Sequence, residues 1–147
     1  MPDYTALPAF PAFVIALLAL FLKLTLTSML QVVSRFRSRA FTVPEDAALM
    51  GIAPRTEESP FVRRCGNVLR NDVENLPVFF ALALAYVLSG APAGTAQVLF
   101  GAYVALRYAH TVVYLKGLQP WRMLTYLAGM MVCWIIAVRA VMLAFGM

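Results

Sequence analysis

Arg70-Asn71-Asp72-Val73-Glu74-Asn75-Leu76-Pro77 leads straight into the apolar run Val78 to Leu88, and its reading decides the fold. Strongly polar side chains here enter a segment whose remainder suits lipid. A charge at the centre of a membrane helix costs about 2.5–3.5 kcal/mol on insertion scales. Nothing in the local sequence offsets that cost, so the compensation has to come from other helices or from a ligand.

The surrounding chain has the composition of a membrane protein. It has 147 residues, 62% of them hydrophobic, and a mean hydropathy of +0.78. Soluble domains run at about 45–50% apolar. Four spans of about 20 residues would use more than half the length. That leaves room for a single membrane domain over residues 1–147 and none for a separate soluble one. Helices that are apolar all round do not reveal a core by periodicity.

The net charge of +5 comes from 12 Lys and Arg against 7 Asp and Glu. The bases form no long run with interleaved aromatics, so they read as a topology signal rather than a nucleic-acid surface. Cys65 and Cys133 lie in different segments, and no disulfide is expected. No metal site is expected. Met1 to Leu30 has only Asp3 before its apolar run, which is too long for a signal-peptide core, so it reads as a retained first span.

The predicted architecture is all-α: a four-transmembrane-helix up-down bundle. The first span covers about residues 10–33, entered through Pro8 and Pro11, interrupted by Lys23 and closed by Arg35, Arg37 and Arg39. A polar loop at 34–59 ends on Ser59-Pro60, an N-cap followed by a first-turn proline. The second span covers about 60–88, with a kink expected at Pro77. The third covers about 95–115 and the fourth about 121–145, and short turns make these three antiparallel neighbours. Arg35, Arg37, Arg39, Arg55, Arg63, Arg64, Arg70, Lys116 and Arg122 fall at one end, so that end is expected in the cytoplasm.

Depth then aligns the polar residues. Arg70, Asn71 and Glu74 of the second span, Arg107, His110, Thr111 and Tyr114 of the third, and Arg122 and Tyr126 of the fourth stand at one level. Arg35 closes the first span at the same end. Within each helix the spacing is i, i+3 or i+4, which puts the residues on one face. A polar chamber inside the bundle is a ligand site by default. Its arginines outnumber its acids, so it suits an anion with more than one carboxylate, and Glu74 suits an ammonium. A zwitterionic peptide meets both demands. Lys23 lies deeper, about 15 Å from the end of its helix at ~1.5 Å per residue, and is expected to pair with Asp72.

These blocks carry a resemblance. Ala40-Phe41 with Pro44-Glu45-Asp46-Ala47 comes first, followed by Arg70-Asn71-Asp72-Val73-Glu74 and Arg107-Tyr108-Ala109-His110-Thr111-Val112-Val113-Tyr114-Leu115. Arg122 with Thr125-Tyr126 closes the series. Together they resemble the membrane-associated proteins in eicosanoid and glutathione metabolism, nearest to the branch of microsomal glutathione transferases and prostaglandin E synthases. The resemblance implies a homotrimer that holds glutathione between subunits near the cytoplasmic face. It implies glutathione contacts at Arg70, Asn71, Glu74, His110, Tyr114, Arg122 and Tyr126, with Arg35, Arg107 and Thr111 behind them. It further implies that Arg122 stabilises the glutathione thiolate, and it aligns Asp46 with an aspartate tied to isomerase chemistry; by itself Asp46 also reads as a turn former. Tyr126 is expected to donate a hydrogen bond to the thiolate.

Met123 stands where the prostaglandin-synthase pattern has serine, Leu49 and Met50 where it has arginine and histidine, and Leu69 where the family commonly has histidine. The expected function is therefore a glutathione-dependent transferase or peroxidase acting on lipophilic electrophiles or hydroperoxides. A prostaglandin E synthase-type isomerase is the alternative, and a small four-helix transporter or a non-catalytic scaffold is the alternative from another class. The expected partners are glutathione, a lipophilic small molecule, membrane lipid and two further copies of the chain. The expected setting is a bacterial inner membrane or the endoplasmic reticulum.

Overall fold

The computed structural model describes residues 7–147. Asp3, the charge ahead of the first apolar run, lies outside them. The described residues form helices α1 (Phe10–Ser38), α2 (Pro44–Leu49), α3 (Pro60–Leu88), α4 (Ala93–Lys116) and α5 (Trp121–Ala144), with no strand among them. All but α2 are long and apolar enough to cross a membrane. A helix of 24 residues is about 36 Å long, against a hydrocarbon core of about 30 Å. The protein is an all-α, multi-pass integral membrane protein.

Local chemistry sets the helix ends. α1 runs to Ser38 rather than stopping at 33, because Arg35 and Arg37 are good helix formers and suit the negative end of the dipole. Arg39 then turns left-handed at φ 48°. The loop expected over 34–59 contains α2, which starts on Pro44 and carries Glu45 and Asp46 in its first turn. Ser59 caps α3 by accepting from the Val62 N–H at 3.5 Å, a long and therefore weak bond. α3 continues through Pro77, which cannot supply the N–H that the Val73 carbonyl would otherwise accept.

The four long helices stand at the corners of a bundle. α1 packs on α3 and α4, and α5 packs on α3 and α4; α3 and α4 also touch, so α1 and α5 occupy opposite corners. The Gln31 side chain of α1 reaches the Val62 carbonyl of α3, and Arg64 Nη1 of α3 reaches the Leu115 carbonyl of α4. The end of α1, the start of α3 and the end of α4 therefore share one end of the bundle.

The interior divides along its axis. Buried residues recur every three or four positions: Ala12, Ala16, Leu20, Lys23 and Thr27 on α1; Val68, Asp72, Leu76, Phe79 and Ala83 on α3; Phe100, Tyr103, Arg107 and His110 on α4. The half containing Leu20, Leu76, Phe79, Phe100 and Ile136 is apolar, with the Phe79 and Tyr103 rings stacked at 3.9 Å. The other half holds Lys23, Thr27, Asp72, Arg107, His110 and Thr111. Large apolar side chains such as Ile15, Leu18, Phe21, Trp134 and Val138 are exposed outside, as a lipid-facing surface requires. Lipid gives no hydrophobic drive between helices, so close packing and these polar contacts hold the bundle together.

Candidate functional site

Three charges occupy core positions on three helices, and they meet. Lys23 Nζ donates to Asp72 Oδ2, the pairing expected from the depth of Lys23. Arg107 Nη2 donates to the other oxygen of the same carboxylate, Oδ1, at 2.6 Å. All three side chains are buried. Arg107 Nη2 also donates to Asn71 Oδ1 at 2.7 Å. Arg107 thus occupies the carbonyl side of the Asn71 amide and leaves its two N–H donors as the other side.

Asn71 forms one wall of a cavity of about 400 Å³, which His110, Tyr114, Gln119, Arg122, Met123 and Tyr126 complete. That volume falls within the range of small-ligand pockets. Helix register explains the company. Arg122 and Tyr126 precede the buried Gly129 of α5 by seven and three residues, and so share its inward stripe. Tyr114 follows Arg107 by seven residues on α4.

Arg122 is braced from two sides. Its guanidinium carbon sits 4.8 Å from the centre of the Tyr114 ring, within cation–π range. With the Gln119 amide turned so that its oxygen faces the guanidinium, Gln119 Oε1 accepts from Arg122 Nε at 3.1 Å and from Nη2 at 2.7 Å. The imidazole of His110 lies between the Tyr114 and Tyr126 rings, 5.8 Å and 6.3 Å from their centres.

The tautomer of His110 follows from its neighbour. Thr125 Oγ1 lies 3.1 Å from His110 Nδ1 and 2.9 Å from the Trp121 carbonyl. A carbonyl only accepts, so the single hydroxyl proton goes to it, and Nδ1–H must donate to Oγ1. In the neutral ring Nε2 is then an acceptor. It is buried without a hydrogen-bond partner among the described residues.

The structure brings Asn71, His110, Tyr114, Arg122 and Tyr126 to one cavity and sends the other expected site residues elsewhere. Arg107 is committed to Asp72 and Asn71 behind the wall, and the Thr111 hydroxyl donates to the Arg107 carbonyl at 3.1 Å. Arg35 pairs with Glu58 and, with Asp46, lines a second cavity of about 400 Å³ between α1 and α2. Arg70 and Glu74 are exposed and have no ion-pair partner among the described residues. Asp72 holds the core position, and a residue two places away on a helix points about 160° from it. Within one chain, Arg122 is the one of these four arginines that lines the cavity, and Arg107 stands behind its wall. Gln119 was not expected here, although its i, i+3 spacing to Arg122 was the available signal.

A four-span bundle with a charged interior at one end and a cavity opening beside it defines a multi-pass membrane protein with a polar site at one end of its bundle. The chain belongs to the MAPEG family, whose profile it matches over residues 12–142. It is 34% identical over 127 residues to prostaglandin E synthase of Homo sapiens, covering 86% of this chain and 84% of that one. It is also 34% identical over 134 residues to microsomal glutathione S-transferase 1 of Rattus norvegicus, covering 86% and 83% respectively. Prostaglandin E synthase of Equus caballus is 33% identical over 134 residues, covering 90% and 88%.

Proposed function

We propose that the protein is a glutathione-dependent membrane transferase that activates the glutathione sulfur for attack on lipophilic electrophiles. The observation that carries this reading is the Arg122 guanidinium, braced by Tyr114 and Gln119, in a cavity it shares with Tyr126 and the buried His110. The residues suit the peptide. Asn71 offers amide N–H groups, Arg122 a cation, Tyr114 and Tyr126 hydroxyls, and His110 Nε2 an unpaired acceptor for a ligand N–H. The relatives named as a glutathione S-transferase and as prostaglandin E synthases support an enzymatic reading over a transporter or scaffold.

Glutathione supplies the nucleophilic sulfur. A thiol with a pKa of about 8.5 is only a few per cent thiolate at pH 7. Lowering that pKa by about two units needs roughly 2.7 kcal/mol of preference for the anion. One arginine in a water-poor site is enough to supply it. Arg122 holds the negative charge and Tyr126 donates a hydrogen bond to it. With a chlorodinitrobenzene-type electrophile the S–C bond forms, the C–Cl bond breaks, chloride leaves, and the thiol proton has already passed to water.

The working unit is a homotrimer. One chain offers a single cation at the cavity, whereas glutathione has two carboxylates. Arg70 and Glu74 stand on the outer face of a membrane helix, where bare charges are costly, so a neighbouring copy both shields them and brings its own arginines close. The arginine-rich end faces the cytoplasm by the positive-inside rule. An isomerase of the prostaglandin E synthase type is the second reading, which the names of the relatives favour; Asp46 lines the separate cavity with Arg35 in its own chain, so in that reading it comes to the Arg122 cavity from a neighbouring copy.

Arg122→Ala tests the assignment. It is expected to abolish the ultraviolet thiolate band and turnover of a chlorodinitrobenzene-type substrate, while glutathione still protects the solubilised protein against heating. A variant with an unchanged thiolate band and unchanged turnover refutes it.

A further inference from the structure

The link between α4 and α5 is fastened more firmly than a four-residue connection requires. Gly117 adopts φ 71°, and its N–H donates to the Tyr114 carbonyl at 3.0 Å. The Leu118 N–H donates to the Val113 carbonyl at 2.9 Å, and the Arg122 N–H donates to the Leu118 carbonyl at 3.1 Å. From the side, Arg64 of α3 donates through Nη1 to the Leu115 carbonyl at 3.1 Å. Its guanidinium lies flat against Gly117, so close that an added Cβ would meet Nη1 at 3.1 Å. Gln119 projects from this fastened link, and its amide oxygen meets the Nε and Nη2 edge of Arg122.

We propose that Gln119 is a positioning residue for Arg122. It fixes the direction in which the guanidinium presents its remaining donors to the cavity. The inference rests on the reading of Arg122 as the cation that holds the sulfur anion. Arg122 has five N–H groups on a rigid plane. Gln119 takes one on Nε and one on Nη2, both on the same edge. The guanidinium carbon lies over the Tyr114 ring at 4.8 Å from its centre. With that edge held by Gln119 and the Tyr114 ring beside it, rotation of the guanidinium about its stem is restricted, and three N–H donors, two on Nη1 and one on Nη2, are left for the cavity. Arginine on a flexible stem is otherwise a long side chain with many rotamers, and an anion that has to order it is held less strongly. Gln119 is a neutral acceptor. It aims the guanidinium without contributing a negative charge that would compete with the sulfur.

Two substitutions test this beside Arg122→Ala. Gln119→Met keeps the length and removes the acceptor. It is expected to leave glutathione protection and thermal stability unchanged. It should lower the thiolate band at pH 7 and kcat by about tenfold, a loss typical of a misaligned group, and move the pH profile of kcat towards alkaline pH with KM unmoved. Gln119→Glu keeps the acceptor geometry and adds a charge. It is expected to preserve folding and also to lower the thiolate band, because its carboxylate competes for the same guanidinium. A role limited to holding the link together would lower thermal stability and leave the pH profile in place, and that result overturns the proposal. So does an unchanged thiolate band in both Gln119 variants while Arg122→Ala abolishes it; in that case the role of Arg122 stands and that of Gln119 falls. If Arg122→Ala also leaves the band intact, the thiolate assignment itself fails and takes this inference with it.

Discussion

Asp72→Asn is expected to be the most damaging single substitution in the polar half of the bundle. The carboxylate carries two cations at once, Lys23 on Oδ2 and Arg107 on Oδ1, and it is fully buried. Replacing it with a neutral isostere leaves two positive charges side by side, and at an effective dielectric of about 20 like charges at a contact distance of about 4–5 Å repel by roughly 3–4 kcal/mol. Breaking a buried pair by removing one partner costs about 3–5 kcal/mol in general, and the repulsion places this case towards the upper end. Lys23→Met is the contrasting case. Asp72 keeps Arg107, the remaining pair is neutral, and the loss is that of one charge-assisted bond, about 1.5–3 kcal/mol. The decisive variant is the double one. Removing Lys23 from the Asp72→Asn background relieves the repulsion, so the double variant is expected to be more stable than Asp72→Asn alone by about 2–3 kcal/mol. The assay is reversible unfolding in mixed micelles, with the denaturing detergent titrated and helicity followed. A double variant as unstable as the sum of the two singles refutes the picture of one carboxylate holding two like charges apart.

Gly117→Ala combines a left-handed backbone position with contact against Arg64, and is expected to cost at least about 1–2 kcal/mol and to lower the unfolding midpoint measurably. Because the same link carries Gln119 and leads directly into Arg122 at the start of α5, turnover should fall in that variant even at temperatures where it is fully folded. Thr125→Val removes the hydroxyl that accepts from His110 Nδ1–H and leaves the Arg122 carbonyl as the neighbouring acceptor, at a cost of about 0.5–1.5 kcal/mol. Its expected signature is weaker glutathione protection with the thiolate band of the saturated protein little changed; unaltered protection would separate His110 from peptide binding.

The four spans were legible because length and hydropathy alone specify them, and the Lys23–Asp72 pairing was legible because a deep lysine needs an acid at its own level. The company at the cavity was less so. Spacings of three and four put Arg70, Asn71 and Glu74 nominally on one face of α3, but the direction of that face depends on which residue takes the core position. Asp72 takes it, which turns Arg70 and Glu74 outward and leaves Asn71 on the flank. The same ambiguity hid the commitment of Arg107, whose register on α4 continues Phe100 and Tyr103 straight into the ion cluster. The extension of α1 to Ser38 is not legible in hydropathy, which marks where lipid ends, whereas helix propensity decides where the helix does.

The shared carboxylate also imposes an order on how the protein is made. Lys23 leaves the ribosome 49 residues ahead of Asp72, and Arg107 follows Asp72 by 35. At ~5–20 residues per second the newborn first span carries an unanswered ammonium for about 2–10 s. Until residue 72 emerges, the first span holds a charge whose cost of about 2.5–3.5 kcal/mol at a helix centre no other part of the chain offsets.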